Sequence, residues 1–395
     1  MSVGREFDII LFGGTGFTGS LAAEYLAAEA PTGCRWAVAG RNPDKLAALR
    51  DRLADINPDC AALELLPADV TDVDSLRAVA ARSRVVVSAV GPYLTHGEPL
   101  VAACAEAGTD YLDLAGEPEF VDRMYLGYHD TAVASGARLV HCCGFDSIPA
   151  DLGTYFTVQQ LPEDVPIRVR AYVSASAGWS AGTKNSAVNA VARLRTTASV
   201  AARRRRVEGR PADRRVRGDK GVPHYEKIVG AWALPAPIID PQIVLRSARA
   251  LPRYGPDFTY GHHLAVRTFP MAAAIVGGVG AAVLAAQVPP ARKFLLSRSR
   301  PGDGPSAERR AKAWFRFRFV AEGGGRRVLT EVSGGDPGYG ETARMLGQSA
   351  LCLAFDDLSA TAGQVTTAVA MGDALVDRLR RAGLVFRVVD ERASA

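Results

Sequence analysis

The chain has 395 residues, 48% of them apolar and 23% charged, enough for a large packed core and two domains. Its six cysteines are scattered, with no CxxC pair and no ligand-like spacing, which excludes a disulfide scaffold and a structural zinc site and predicts no metal. The net charge is only +5, too small and, as shown below, too local for a generally nucleic-acid-binding protein.

The first stretch is broken by charges and turn residues, which predicts no signal segment and a cytoplasmic setting. "FDIILFG" then reads as a strand and "GSLAAEYLAAEA" as a helix. "RWAVAGR", "LELLPADVTD", "RVVVSAVGPY", "YLDLAG" and "ARLVHCCGFD" read as further strands, separated by helical stretches such as "PDKLAALRDRLADI" and "DVDSLRAVAARS". Apolar strands alternating with amphipathic helices predict an α/β fold: a Rossmann-type, doubly wound parallel sheet over residues 1–150. Within the last of these strands, Cys142 and Cys143 read as small buried residues rather than a redox pair.

Glycines at 13, 16 and 19 interrupt the chain between the first strand and the first helix. Gly13 suits the tight turn, Gly16 lets a pyrophosphate approach the main chain, and Gly19 lets the helix pack closely on the sheet. The N–H groups of Thr15, Gly16, Phe17 and Thr18 and the helix dipole would face the phosphates. The second strand ends in Arg41, where an NAD site offers an acid for the ribose 2′-OH, and Lys45 follows one helical turn on. Two cations suit a 2′-phosphate and predict NADPH as cofactor.

"SAVGPYLTHGEP" closes the fourth strand, at the end of the sheet that lies beside the nicotinamide in such folds. Gly91 and Pro92 would shape a close turn there, with Tyr93 and His96 facing the crevice. No tyrosine is followed four residues later by a lysine, so the Tyr-x-x-x-Lys catalysis of short-chain dehydrogenases is absent.

In "GFDSIPADLGTYF", Ser147 reads as a helix cap with Pro149 in the first turn, and Asp146 and Asp151 as residues that orient the same helix. The strand-like "RVRAYVSASAG" and the turn-helix "GTKNSAVNAVARL" follow. "RRRRVEGRPADRRVRGDK", from Arg203, holds nine basic and three acidic residues, so the rest of the chain sums to about −1. It reads either as a solvated loop or as a docking patch for an acidic partner. "FPMAAAIVGGVGAAVLAAQVPP", from Phe269, is uncharged but built mostly of alanine and glycine. It reads as a packed helix or subunit interface, in a homodimer for example, with lipid-surface or acyl-chain contact as the alternative. "WFRFRFVAEGGGRRVLTEVSGG" reads as a hairpin, and the segments after it as closing helices.

Together "GGTGFTG", "AGR", "SAVGPY", "YLDLAGE", "GFDSIPADLG", "AGTKNSA" and "SGGDPGYGETARMLGQSALCL" resemble the saccharopine dehydrogenase superfamily, and within it the actinobacterial trans-acting enoyl reductase branch. The resemblance implies a Rossmann domain (1–150), a second mixed α/β domain for substrate and oligomerisation (151–335), and C-terminal helices (336–395) that return to the first domain. It also implies NADPH-dependent reduction of a C=C bond in an acyl thioester, carried by an acyl carrier protein or polyketide synthase. Tyr93, Lys184 and Asn185 are the candidate hydrogen-bond and proton donors. The alternatives are an amino-acid or imine oxidoreductase like the superfamily's namesake, and a non-catalytic NADP-binding protein at lipid surfaces.

Overall fold

The structure is a computed structural model that describes residues 4–176, 193–209, 211–236, 238–286 and 306–393. Six consecutive buried residues, Phe7–Phe12, leave the first strand no solvated face. Such a strand belongs inside a sheet covered on both sides. That sheet is built from β1 (Phe7–Phe12), β2 (Trp36–Gly40), β3 (Glu64–Pro67), β4 (Ser83–Ser88), β5 (Asp110–Asp113) and β6 (Arg138–Val140), all parallel, in the spatial order 3-2-1-4-5-6. The crossovers are α1 (Phe17–Glu29), α2 (Pro43–Ile56), α3 (Val73–Arg82), the single turn α4 (Tyr93–His96), α5 (Glu98–Ala107) and α6 (Pro118–Ser135). The sequence signals set their ends. Asn42 and Asp72 cap α2 and α3 through their side chains, and left-handed Gly108 and Gly136 close α5 and α6.

The chain divides into two compact units. The first joins the residues up to Phe145 with Tyr339–Ala382. Its C-terminal part brings back the helix Gly340–Phe355, which lies against α1 so closely that a Cβ at Gly347 would fall 2.5 Å from the Tyr25 ring. Gln348 Nε2 donates to the Tyr25 hydroxyl at 2.8 Å, and the Arg378 fork grips Asp356. The segment read as closing helices also holds a strand. Gly363–Val365 adds in parallel to β6 as the seventh strand of the sheet, with Gly363 at φ +87° and Gln364 held by His129 Nδ1.

The second unit takes the described residues of 146–338 and 383–393. After α7 (Ile148–Val158), its mixed sheet contains β7 (Ile167–Ala175), β8 (Arg215–Asp219), β9 (His224–Glu226), β10 (Ala231–Pro235), β11 (Asp257–Val266), β12 (Phe315–Gly323) and β13 (Arg326–Gly334). β12 and β13 form the expected hairpin, turning through Gly324 and Gly325, both at positive φ. Phe315, Phe317 and Phe319 alternate along β12 and are buried, and α7 comes so close that a Cβ at Gly153 would fall 2.4 Å from the Phe319 ring.

Two expectations change here. Residues 383–393 do not return to the first unit as helix: Val385–Ala393 is a strand paired antiparallel with β13. The basic stretch is not a loop either. Arg203–Arg206 lie in α8 (Leu194–Glu208), and Arg215–Asp219 form β8 beside β11. The uncharged segment forms a helix over Phe269–Ala286 that follows β11. Ala272 packs on Leu234 and Val266, while Phe269, Met271 and Val276 are exposed. Among the described residues no helix is long and apolar enough to cross a membrane.

Phe386 anchors the last strand, 5% exposed and edge-on to Phe156 at 6.1 Å. Phe386→Ala is expected to cost about 3–5 kcal/mol of unfolding free energy, read from urea midpoints. A loss below about 0.5 kcal/mol, the usual range for surface positions, would mean that the strand is not part of the core.

Candidate active site

The turn between β1 and α1 is built by close contacts. Gly13 sits at φ +88°, and a Cβ there would fall 2.5 Å from Val90. At Gly19 a Cβ would lie 2.2 Å from the Gly13 carbonyl oxygen, so α1 packs on the turn itself rather than on a strand. Gly14, which the glycine spacing does not single out, is equally constrained: its Cβ would meet Val38 at 2.8 Å and Leu49 at 3.1 Å. Gly16 differs. An added Cβ would meet only the Gly13 carbonyl, at 3.5 Å, and both Gly16 and Thr15 are exposed. Gly16 is also the N-cap of α1, with no side-chain cap.

An open face over an uncapped N-terminus of a 13-residue helix fits a pyrophosphate. The N–H of Gly16 is not among the donors, because it bonds the Gly13 carbonyl at 3.1 Å. The Phe17 ring is held edge-on by Tyr339 at 4.7 Å, which fixes the first turn of α1.

Arg41 follows β2 directly and is exposed. It has no hydrogen bond or ion pair among the described residues, and its charge adds to the Thr71 hydrogen bonds that hold the Asp69 carboxyl below the usual range. Lys45 is exposed in the first turn of α2, its backbone N–H taken by Asn42 Oδ1 at 2.9 Å.

Beyond β4, Gly91 and Pro92 are exposed and lead into α4. Tyr93 does not face a crevice. It is buried, its hydroxyl donates to the Ser88 carbonyl at 3.0 Å and accepts from the Leu114 N–H at 3.1 Å, and burial pushes its pKa well up. The proton proposed for catalysis is therefore spent on tying β4 to the end of β5. Lys184 and Asn185 lie outside the described residues.

One pair escaped the sequence reading. Asp113 ends β5 and His141 follows β6, and the two meet at 2.6 Å through Asp113 Oδ2 and His141 Nδ1. Asp113 is 0% exposed and His141 2%. The carboxylate also accepts the N–H groups of Ala115 and Cys142, at 3.0 Å each. His141 Nε2 has no hydrogen-bond partner among the described residues, and its ring packs edge-on to Phe120 at 5.4 Å. Phe120 in turn lies 5.7 Å from Tyr93. Glu117 accepts the Leu94 N–H at 2.7 Å, so the loop after β4 is fixed from β5, β6 and α6 together. The available signal was positional: both residues stand at the carboxyl ends of adjacent parallel strands, where ligands bind in such sheets.

The second unit carries a buried polar cluster at the start of α7. Ser147 stands at the N-cap but makes no cap hydrogen bond. Its hydroxyl donates to the Asp146 carbonyl and lies 3.3 Å from Asp240 Oδ1. Asp240 Oδ2 is 3.4 Å from His262 Nε2, and Tyr260 Oη is 3.0 Å from His262 Nδ1. Asp151 accepts from the Ser247 hydroxyl. Burial pushes the half-buried Asp146 up to about 6 and the His262 imidazole down to about 3. Burial, then the neighbouring charges of Asp146 and Asp151, drives Asp240 well above its ordinary value. Burial thus disfavours the charged form of both Asp240 and His262. Among the described residues no group of side chains is arranged to hold a metal ion.

Residues 9–140 match the family described as the saccharopine dehydrogenase NADP binding domain. The trans-acting enoyl reductase of Mycobacterium ulcerans is 35% identical over 420 residues, covering 97% of this chain and 98% of that one. That of Mycobacterium tuberculosis is also 35% identical, covering 97% of each. A second M. tuberculosis relative, whose name proposes the same activity, is 37% identical over 96% of this chain and 97% of its own. Apo saccharopine dehydrogenase (L-Glu forming) of Saccharomyces cerevisiae superposes with a TM-score of 0.58 at 13% identity, over 97% of this chain and 99% of that one.

Two outcomes follow from this geometry. Gly16→Val is expected to keep the melting temperature and lose NADPH binding, whereas Gly19→Val loses both because it displaces the Gly13 carbonyl. Normal NADPH titration by a folded Gly16→Val chain would remove the pyrophosphate site. For Asp240, the folded carboxyl holds its proton at a pH where the unfolded one, with a pKa of about 3.9, has lost it. Its contribution is present below that value and lost as pH rises toward the folded pKa. Asp240→Asn should therefore lose less stability than the wild type as pH rises above about 4, by urea midpoints. Identical pH slopes would show that the carboxyl is ionised in the fold.

Proposed function

The chain belongs to the trans-acting enoyl reductase family, a branch of the saccharopine dehydrogenase superfamily, and from that premise we propose that it reduces the activated C=C bond of a carrier-bound acyl or polyketide thioester. The observation that carries the proposal is the 35% identity to mycobacterial trans-acting enoyl reductases across 97% of the chain. The chain is an NADP-dependent oxidoreductase, and NADPH is its cofactor. At 13% identity the fold shared with the yeast enzyme carries no activity over to this chain.

When bound, NADPH supplies the hydride that Cβ of the substrate accepts. The remaining requirements fall on the protein. The N–H groups of Thr15, Phe17 and Thr18 and the α1 dipole would hold the pyrophosphate, and the absent side chain of Gly16 leaves its space. Arg41, with Lys45 beside it, would hold the 2′-phosphate by charge-assisted bonds. Gly91 and Pro92, positioned by the buried Tyr93, would line the reacting end of the cofactor. As Cβ is reduced, negative charge develops on the thioester oxygen, which needs hydrogen-bond donors, and Cα then needs a proton. With the Tyr93 hydroxyl committed, that role passes to Lys184 and Asn185. An ammonium and an amide can donate to the oxygen, and the ammonium can return a proton.

The test is NADPH oxidation against a panel of enoyl, keto and imino compounds. Enoyl thioesters should be turned over, and turnover confined to imines would overturn the reading. In the same preparation Arg41→Ala should weaken NADPH binding about 10- to 100-fold and leave NADH binding unchanged, the loss of one charge-assisted contact. Equal losses for both cofactors would remove Arg41 from the 2′-phosphate.

A further inference from the structure

The run of four arginines is divided by the helix that contains it. In α8, Arg204 points inward. It is 3% exposed, and its guanidinium holds Glu208 at 3.1 Å, with Arg249 also 3.7 Å from Glu208. Val200, one turn earlier, is also buried on this face. The opposite face carries Arg195, Ser199, Ala202, Arg203 and Arg206, spaced i, i+4, i+7, i+8 and i+11, which is one stripe of a helix. Arg195, Ser199, Arg203 and Arg206 are exposed, and none of the three arginines has a hydrogen bond or ion pair among the described residues. Arg205 is exposed but lies off the stripe.

We infer that the Arg195–Arg203–Arg206 stripe of α8 is the docking surface for the acidic face of the carrier domain that presents the thioester. The inference rests on the carrier-bound reading of the substrate given above. Three unneutralised arginines on one stripe repel one another, so the surface is complementary to a concentrated negative charge. The positive charge is local, because the chain outside residues 203–220 sums to about −1, and that near-neutral remainder gives a long polyanion such as nucleic acid no net attraction beyond this region. The residues between the arginines are Ser199 and Ala202, too small to block a partner's backbone. The stripe has no aromatic ring on which a base could stack, and the exposed Val207 beside Arg203 and Arg206 is too small to anchor the helix in a bilayer. Arg195 to Arg206 spans roughly 16 Å at about 1.5 Å per residue, the length of one short helix laid alongside. Charges of this kind act mainly on the encounter rate and fade with salt.

The experiment compares the full-length wild type with a triple variant, Arg195→Ser, Arg203→Ser and Arg206→Ser, and with an Arg205→Ser control. Binding of a labelled, acidic holo-acyl carrier domain is read by anisotropy, independently of turnover. The triple variant should raise its Kd about tenfold or more in low salt, the difference closing near 0.5 M salt as the Debye length falls below about 5 Å. The control should match the wild type. In turnover, the KM for the carrier-bound enoyl thioester should rise by a similar factor, with kcat unchanged and the free N-acetylcysteamine thioester unaffected. Unchanged carrier binding by a folded triple variant overturns the docking surface, as does an equal rise in KM for both substrates. So does loss of flotation with phosphatidylglycerol vesicles while carrier binding persists, which would make anionic lipid the partner. Wild type that binds the carrier domain through the stripe yet reduces neither thioester would instead overturn the enoyl reductase reading and leave the surface in place.

Discussion

The approach of α1 to the turn after β1 leaves no room for a side-chain carbon at residue 19, where it would sit 2.2 Å from the Gly13 carbonyl oxygen. Much of the first unit depends on that contact. It fixes the Gly13 carbonyl, which in turn accepts the Gly16 N–H and closes the turn. It sets the axis of α1, and so the seat on which the returning helix Gly340–Phe355 lies through Tyr25, Gly347 and Gln348. Val38 and Leu49 press on Gly14 and Val90 on Gly13, so β2, α2 and the end of β4 all bear on the same few atoms. A cradle defined by backbone is rigid because nothing in it can rotate, and rigidity is what a phosphate site needs.

The same economy governs the polar interior. A buried carboxylate is costly unless it is hydrogen-bonded, and Asp113 meets three donors, two of them backbone N–H groups at the ends of β5 and β6. Its oxygens are thus satisfied locally and hold two strand ends and an imidazole in register. The cluster around Asp240 solves the same problem differently. There Asp146 and Asp151 crowd a third carboxyl, and burial and their charges together push Asp240 toward its neutral form while burial does the same to His262.

Much of this was legible in the sequence where local rules suffice. β1, β2 and β4 of the Rossmann core were readable because each carries a run of consecutive apolar residues next to turn residues, and the hairpin because two glycines fall at its tip. The strand Gly363–Val365 was not, since three residues carry no periodicity and its pairing is decided by the distant β6. Val385–Ala393 was missed because its exposed, charged outer half hides the alternation, and only Phe386 is firmly buried. The arginine run read as a loop because charge dominates its composition; the burial of Arg204, beside Glu208 and within reach of Arg249 on another helix, is a tertiary fact. At the site, glycine spacing carried the cradle, but Gly14 stood outside the motif, and the Asp113–His141 pair links residues 28 apart through strand order alone.

Tyr93 shows why residue type at a promising position is weak evidence for chemistry. Its place after β4 suits a catalytic donor, and its hydroxyl has one proton to give. That proton goes to the Ser88 carbonyl, while the oxygen accepts from Leu114, so both capacities are used in joining two strand ends. Freeing it for a substrate would leave two buried backbone groups unpaired, each at a cost of about 1–3 kcal/mol, before any gain in the transition state. Burial compounds this by holding the phenol far from the pKa at which it would release a proton near neutrality. The arrangement favours a tyrosine that sets the loop of Gly91 and Pro92 in place and leaves the acid to another side chain. On these contacts a substitution at Tyr93 should disturb the geometry of the loop before any acid–base chemistry.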